Sequence, residues 1–278
     1  MRMTELWKGK ELAGSIKAEA KELLSTSSKS PKTLAIILPR GDASAADYAS
    51  FIAKSGEKIG LPTQSIVVDD AKELFSALTK ASADPQVGGI IVQRPYPQDV
   101  AEEDLQAKVP EEKDVDGISF TNLGRLFAYH PRYVPATASA MLRLMKHHRL
   151  PLKGSRVVIV GRSLAVGRPL WALLLREHAT ITMCHTRTKN LPAEVSRAEV
   201  LCVAAGKAGL ITPDMVSSEM VVVDAGYNYL GDGSGPVGDC HPEVGEIAGA
   251  YTPVPGGVGL VTTAVLLLHA ARAAVGVG

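Results

Sequence analysis

The stretch Ser155–Leu175, SRVVIVGRSLAVGRPLWALLL, decides the fold. An apolar, β-branched run from Val157 to Val160 reads as a buried strand. The chain breaks at Gly161 and stays small as far as Gly167. From Pro169 it turns helical, with Leu170, Leu173 and Leu174 on one face. Strand, glycine loop and helix in that order bring backbone N–H groups and a positive helix end toward a phosphate. Proline fits a first helical turn, where its missing N–H costs nothing. The usual G-x-G-x-x-G spacing is absent. Gly161, Ser163 and Gly167 stand in its place, with Arg162 beside them. An ordinary strand-to-helix turn is the alternative reading.

Working outward, Thr180–Cys184 (TITMC) reads as the next strand, about twenty residues on, where a dinucleotide fold meets the adenosine ribose. An acid there favours NAD, and a basic residue accommodates the extra phosphate of NADP. The chain has His185-Thr186-Arg187-Thr188 and no acid. Together with Arg162 this favours NADP over NAD.

The other segments alternate in the same way. Lys10–Leu24 reads as an amphipathic helix and Leu34–Leu38 as a buried strand. Asp42–Ile59 reads as a helix capped by Asp42 or Ser44. Gln64–Val68 is a strand, Ala71–Ala81 a helix, and Gly89–Gln93 a third strand ending in Arg94-Pro-Tyr-Pro97. Such alternation predicts a parallel α/β sheet, with ligands at the carboxyl ends of strands. Gln93 sits at such an end. Glu102–Lys108 is a short acidic helix. Asp114 and Asp116 flank Val115 just before Gly117, and in an extended segment both would face one side. They could bind a metal, hold a polar ring, or turn the chain, and the spacing favours the turn; no metal site is expected. Val200–Val203 and Met220–Asp224 complete the strands, and Gly231–Gly235 reads as a hairpin or loop tip.

The 278 residues suffice for two domains. Hydrophobic residues make up 46% and charged residues 21%, an ordinary globular mix. A formal charge of +1 speaks against nucleic-acid binding. Cys184, Cys202 and Cys240 form no C-x-x-C pair, so free thiols in a reducing compartment are expected. The N-terminal MRMTELWKGKEL has no apolar core of a signal peptide, and a cytoplasmic location is expected. The apolar C-terminal segment carries Thr262, Thr263, His269 and Arg272, so a packed helix is expected rather than a membrane span.

Several motifs together resemble one family. KDVDG followed by NLGRL, GGIIVQRPYP, VVIVGRSLAVGRPLWALLL, MCHTRT, VVVDAGYN and YTPVPGGVGLVTTA are similar, in order, to motifs of the methylenetetrahydrofolate dehydrogenase/cyclohydrolase family. The matches run from about Lys10 to about Leu268, nearly the whole chain. The resemblance implies an α/β fold with an N-terminal substrate domain, a Rossmann-like NADP domain and two long joining helices, Val134–Leu150 and Gly259–Val275. Residues 1–139 with 259–278 would form the first domain and 140–258 the second. Met141, Leu142, Leu144 and Met145 give one helix a core stripe, and Leu260, Ala264, Leu267 and Leu268 give the other one.

The implied reaction oxidises 5,10-methylenetetrahydrofolate with NADP, and the implied assembly is a homodimer. The folate nitrogens stabilise the product cation, so catalysis is mainly positioning. By resemblance Asp116 would anchor the pterin, Tyr48 would stack on the folate, Gln93 would line the pocket, and Pro255, Gly256 and Gly257 would form its wall. The family's second step, hydrolysis of methenyltetrahydrofolate to 10-formyltetrahydrofolate, is associated with a lysine four residues after the tyrosine. Here that position is Ile52, on the helix face of Tyr48, with Ile59 continuing that face. Lys54, two residues beyond Ile52, is rotated about 200° from it and should point elsewhere. Arg40-Gly-Asp-Ala-Ser-Ala, Ser119-Phe120 and Ala138 also depart from the family pattern, in place of GDDPAS, His-Pro and Pro. These departures bear on the hydrolytic step and on folate affinity, not on the NADP site.

Overall fold

The computed structural model describes residues 3–231 and 235–277. Numbered along the chain, the strands are β1 (Glu5–Leu6), β2 (Thr33–Pro39), β3 (Thr63–Val68), β4 (Val87–Val92), β5 (Arg156–Val160), β6 (Thr180–Cys184), β7 (Val200–Val203), β8 (Val221–Asp224), β9 (Asn228–Tyr229), β10 (Pro236–Val237) and β11 (Ala250–Tyr251). The helices are α1 (Lys10–Thr26), α2 (Ala43–Glu57), α3 (Ala71–Ala83), α4 (Glu102–Lys108), α5 (Phe120–Phe127), α6 (Ala136–His147), α7 (Gly167–Arg176), α8 (Leu191–Val195), α9 (Val244–Ile247) and α10 (Val258–Val275).

Two compact units result. One comprises residues 14–134 and 263–278, and the other residues 1–13 and 135–262. The first holds a three-stranded parallel sheet in the order β3-β2-β4. Its core strands β2 and β4 are buried almost throughout, as unbroken apolar runs in a two-faced parallel sheet require. Asp42 and Asp70 begin α2 and α3 by accepting the N–H groups of Ala45 and Glu73. At the other end of α3, the Lys113 ammonium donates to the carbonyls of Ala81, Ser82 and Asp84, satisfying groups a helix terminus leaves open.

The second unit holds a six-stranded parallel sheet in the order β1-β11-β8-β7-β5-β6. Val158, Val160, Leu201, Val203 and Val222 from its central strands form the core with Val195 and Val244 from flanking helices. β9 and β10 pair antiparallel on either side of the expected hairpin tip. Of that Gly231–Gly235 segment, residues 232–234 lie outside the described residues.

The expected domain limits need correction. Residues 1–13 belong to the unit of the glycine loop, not to the N-terminal sheet. β1 pairs with β11 in parallel, and the Trp7 N–H donates to the Tyr251 carbonyl at 2.8 Å. The Trp7 ring, 3% exposed, stacks on His148 at 4.3 Å with 6° between the planes. A two-residue strand inside a polar leader has no periodicity, so nothing in the sequence announced this pairing. The other limits move from 139/140 and 258/259 to 134/135 and 262/263. The helices that pass from one unit into the other are therefore α1 and α10, whereas α6 lies wholly in the second.

Two smaller expectations also change. Leu260 is exposed, and from Thr263 to Ala271 α10 is buried on all sides rather than along one stripe. By length and hydropathy α10 could cross a membrane, yet 78% of it is buried within the protein. Residues 120–127, to which the sequence reading assigned no element, form α5. Ser119 caps it by accepting the Asn122 N–H at 3.2 Å, so the serine that departs from the family's His-Pro begins a helix.

Removing the Trp7 ring should destabilise the second unit. Trp7→Ala is expected to cost about 3–5 kcal/mol in a denaturant titration, the usual loss for a buried large aromatic. A loss below about 1 kcal/mol would show that the N-terminal segment is not part of this core.

Candidate functional site

The glycine loop is built from the carboxyl ends of three adjacent strands. β5 pairs with β6 on one side and β7 on the other. Beyond β5, the Gly161 N–H donates to the Cys184 carbonyl at 2.9 Å, and the Ala204 N–H donates to the Val160 carbonyl at 2.9 Å. Gly161 has φ +126°, and a Cβ there would collide with the Ala204 carbonyl. A Cβ on Gly167 would collide in turn with the Gly161 carbonyl. Only glycine fits either position, because backbone lies against backbone. The Ser163 hydroxyl accepts the Val166 N–H at 3.1 Å, and the Ser163 carbonyl accepts the Arg168 N–H at 3.1 Å. These bonds start the helix at Gly167, two residues before the expected Pro169.

The residues expected to read the extra phosphate stand at the same edge. After Cys184, His185–Thr188 form a tight turn closed by the Thr188 N–H on the His185 carbonyl at 2.8 Å. The Thr188 hydroxyl accepts the His185 N–H, and His185 Nδ1 accepts the Arg187 N–H. With its backbone so fixed, the turn leaves Thr186 and Arg187 exposed. Arg162 is also exposed, and neither arginine makes an ion pair among the described residues. A glycine-walled loop at a helix N-terminus, with two arginines unengaged by carboxylates, fits a dinucleotide bearing an additional phosphate.

In the same unit lies the expected wall, Pro255-Gly256-Gly257. The Gly257 N–H closes a turn on the Pro253 carbonyl at 2.7 Å, and the Gly9 N–H donates to the Gly256 carbonyl at 2.8 Å. The N-terminal segment thus holds this turn as well as β11.

The other candidates lie in the first unit. Gln93 follows β4 directly, and its backbone N–H donates to the Ile37 carbonyl at 2.8 Å. The residue is 5% exposed, and its amide Nε2 is buried without a hydrogen-bond partner among the described residues. An unpaired buried donor costs about 1–3 kcal/mol, so it marks a place where a ligand acceptor would be stabilising. The segment before Asp116 runs beside β4, with Ile90 bridged to Asp114 in parallel. It is not extended, since the Gly117 N–H donates back to the Asp114 carbonyl at 3.0 Å. The two acids therefore do not share a face. Asp114 is fully buried and accepts from the Ile118 and Ser119 N–H groups and from the Asn122 side chain at 2.7–3.0 Å. Burial raises the Asp114 pKa above the ordinary carboxylate value, and these hydrogen bonds oppose that rise. Of the three readings left open, Asp114 realises the turn. Asp116 is half-buried. Burial pushes the Tyr96 phenol up to about 12, the charges of Glu102 and Asp116 add to that rise, and the charge of Arg94 opposes it. Asp116 thus shares an environment with the loop that follows Gln93.

Tyr48 and Ile52 both lie on α2 and differ in exposure. Tyr48 is 37% exposed and Ile52 is 0% exposed. Ala45, Ala49, Ile52 and Gly56 form the buried stripe, with Tyr48 at its margin about 40° from Ile52. Position 52 is core and does not carry Tyr48's exposed face onward. Ile59 is buried but lies past the helix end, in a turn closed on Gly56. Lys54 is exposed, as its rotation predicts.

Sequence reasoning missed two residues that shape these surroundings. Asp224 and Asp239, at the carboxyl side of β8 and beyond β10, are fully buried and accept mostly backbone N–H groups. The available signal was a glycine next to or two residues from each acid, Gly226 and Gly238, where a Cβ would strike the carboxylates.

Comparison with known proteins gives a consistent result. Residues 7–116 match the catalytic domain of tetrahydrofolate dehydrogenase/cyclohydrolase, and residues 135–276 match its NAD(P)-binding domain. The bifunctional protein FolD of Nocardia farcinica is 43% identical over 273 residues, covering 96% of each chain. That of Thermotoga maritima is 39% identical, covering 95% of this chain and 96% of its own. The crystal structure of the bifunctional FolD enzyme of Campylobacter jejuni superposes with a TM-score of 0.92 at 34% identity, covering 98% of each chain. The FolD of Trypanosoma brucei, solved with NADP and an inhibitor, gives 0.90 at 27% identity and 97% coverage of each. By sequence and by structure, the chain belongs to the tetrahydrofolate dehydrogenase/cyclohydrolase family.

Proposed function

We propose that the protein oxidises 5,10-methylenetetrahydrofolate to 5,10-methenyltetrahydrofolate in one-carbon metabolism, with NADP as the hydride acceptor. The observation that carries this reading is the glycine loop with Arg162, Thr186 and Arg187 gathered at one sheet edge, on a chain whose relatives are named for this chemistry. When bound, NADP would supply the electrophilic ring that serves as hydride acceptor. The chain's own part is to bind and orient. The exposed arginines would hold the additional phosphate through charge-assisted bonds, and the N-terminus of α7 would favour the diphosphate. Asp116 accepts from the pterin, the unpaired Gln93 amide donates to the folate, and Tyr48 offers an exposed ring for stacking. Pro255, Gly256 and Gly257 offer a backbone wall. No strong base is required, because the folate nitrogens stabilise the cation that hydride loss creates. The homodimer implied by the family likeness belongs to the same proposal and is checked by light scattering.

A second reading is the fully bifunctional enzyme, which also hydrolyses the methenyl product to 10-formyltetrahydrofolate. The names of relatives at 35–45% identity favour it over a dehydrogenase acting alone. Ile52, with no proton to exchange and no exposure, cannot take part. Hydrolysis in this chain must draw on another group, and the buried Gln93 amide and Asp116 are the polar side chains identified on the folate side.

The two readings separate in one assay. Purified protein, methylenetetrahydrofolate and NADP should give methenyl absorbance together with NADPH. Accumulation of the methenyl species at its uncatalysed rate of decay supports the dehydrogenase alone. Decay accelerated by the protein supports the bifunctional enzyme. Absence of NADPH formation would refute both.

Arg162→Ala is expected to raise the KM for NADP more than about tenfold and that for NAD much less, since one charge-assisted bond is worth about 1.5–3 kcal/mol. Equal changes for both cofactors would remove Arg162 from the phosphate site. Asp116→Ala should abolish turnover while the melting temperature holds, because the half-buried carboxylate belongs to no core stripe. Full activity would exclude it from the site.

Ile52→Lys would place an ammonium in the buried stripe of α2. A fall in melting temperature of more than about 5 °C without gain of hydrolysis is the expected result, read by calorimetry and methenyl decay. A stable variant that hydrolyses faster than the natural protein would show that position 52 opens on the folate.

A further inference from the structure

The loop that leaves β7, Ala204-Ala205-Gly206-Lys207, is held from beneath by one side chain. Asp239 is 0% exposed. Its Oδ2 accepts the N–H groups of Ala205 at 2.6 Å and Gly206 at 3.0 Å, and its Oδ1 accepts that of Lys207 at 2.9 Å. Oδ1 also accepts the Asn228 side-chain amide at 2.8 Å. Three successive N–H groups converging on one point form the kind of concavity that binds phosphate oxygens. Here the protein's own carboxylate fills it, and Ala205, Gly206 and Lys207 keep their other side exposed. The same loop starts at Ala204, whose carbonyl lies against Gly161 with no room for a Cβ. Gly161 in turn packs against Gly167 at the start of α7. A continuous line of backbone contacts therefore runs from Asp239 to the first turn of the phosphate-facing helix.

We propose that Asp239 is a positioning residue for the NADP site. It fixes the loop after β7 as the rigid wall against which the glycine loop is shaped, and it occupies the loop's N–H groups so that they do not capture a cofactor phosphate in a wrong register. This inference rests on the NADP reading given above. Asp239 itself touches no ligand, being fully buried under the loop. Its neighbour Asp224 has a different set of partners, the N–H groups of Gly226, Asp239 and Cys240, and so ties β8 to the segment after β10.

The test is Asp239→Asn in the full-length protein, an isosteric change that puts a donor where N–H groups already point. NADP affinity is measured by calorimetric titration, and KM is measured for NADP and for methylenetetrahydrofolate, alongside the melting temperature. The expected result is a rise of about tenfold or more in the NADP dissociation constant and KM, with the folate KM within about twofold of the parent. Asn228→Leu, which removes one donor to the same carboxylate, should give a smaller rise of about threefold and provides the measurement if Asp239→Asn does not fold. Unchanged NADP affinity in the folded variants overturns the proposal. So does a parallel loss for both ligands that tracks the melting temperature, which is what a purely structural carboxylate would produce. Failure of the parent protein to bind NADP would instead overturn the cofactor reading on which the proposal rests.

Discussion

Buried carboxylates that accept backbone N–H groups are the constraint on which the loops of this protein depend. Strands of a parallel sheet end in loops whose N–H groups have lost their ladder partners, and under other loops those groups cannot reach water. Three aspartates meet this need. Asp114 gathers Ile118, Ser119 and Asn122 and so starts α5 from a turn. Asp224 gathers Gly226, Asp239 and Cys240 beyond β8. Asp239 gathers the loop after β7. Burial pushes the pKa of Asp114 and Asp224 up, while several backbone donors around each one hold it down. A charge taken out of water is tolerable only with such a set of donors. In each case the loops are locked by the same bonds that make the charge tolerable.

This arrangement explains which parts were legible in the sequence. Elements with a strong period were readable to within a residue or two. β5 and β6 announced themselves by β-branched runs, α2 and α3 by an aspartate ahead of a helical pattern, and α4 by its charges. The glycine loop was readable because backbone-to-backbone packing demands glycine, and glycine at Gly161 and Gly167 is visible in one dimension. The expectations for Gln93 and the exposed arginines depended only on following a strand to its end, which a correct strand reading provides.

What remained hidden depended on partners far away in the chain. β1 is two residues long and exists only because β11 offers it an edge. The depth of Ile52 could not be read, since Tyr48 and Ile52 are four residues apart on one helix and only the sheet beneath α2 separates core from margin. The departure at position 52 was visible as a letter, and its burial was not. The stripe assigned to α10 failed for a related reason. A helix surrounded on all sides has no polar face to set its phase.

The pairing of β1 with β11 also bears on how the chain comes to fold. Glu5 meets Ala250, so β1 finds its place only after residues as far along as Ala250 have been synthesised. Meanwhile residues 14–134 can assemble their three-stranded sheet from contacts that are local by comparison. Such distant pairings are slow, because the entropy of closing a long loop is lost before any contact forms. Trp7 must therefore wait in solvent as an apolar tether, and a nascent or truncated chain lacking β11 would expose that indole together with one edge of the larger sheet.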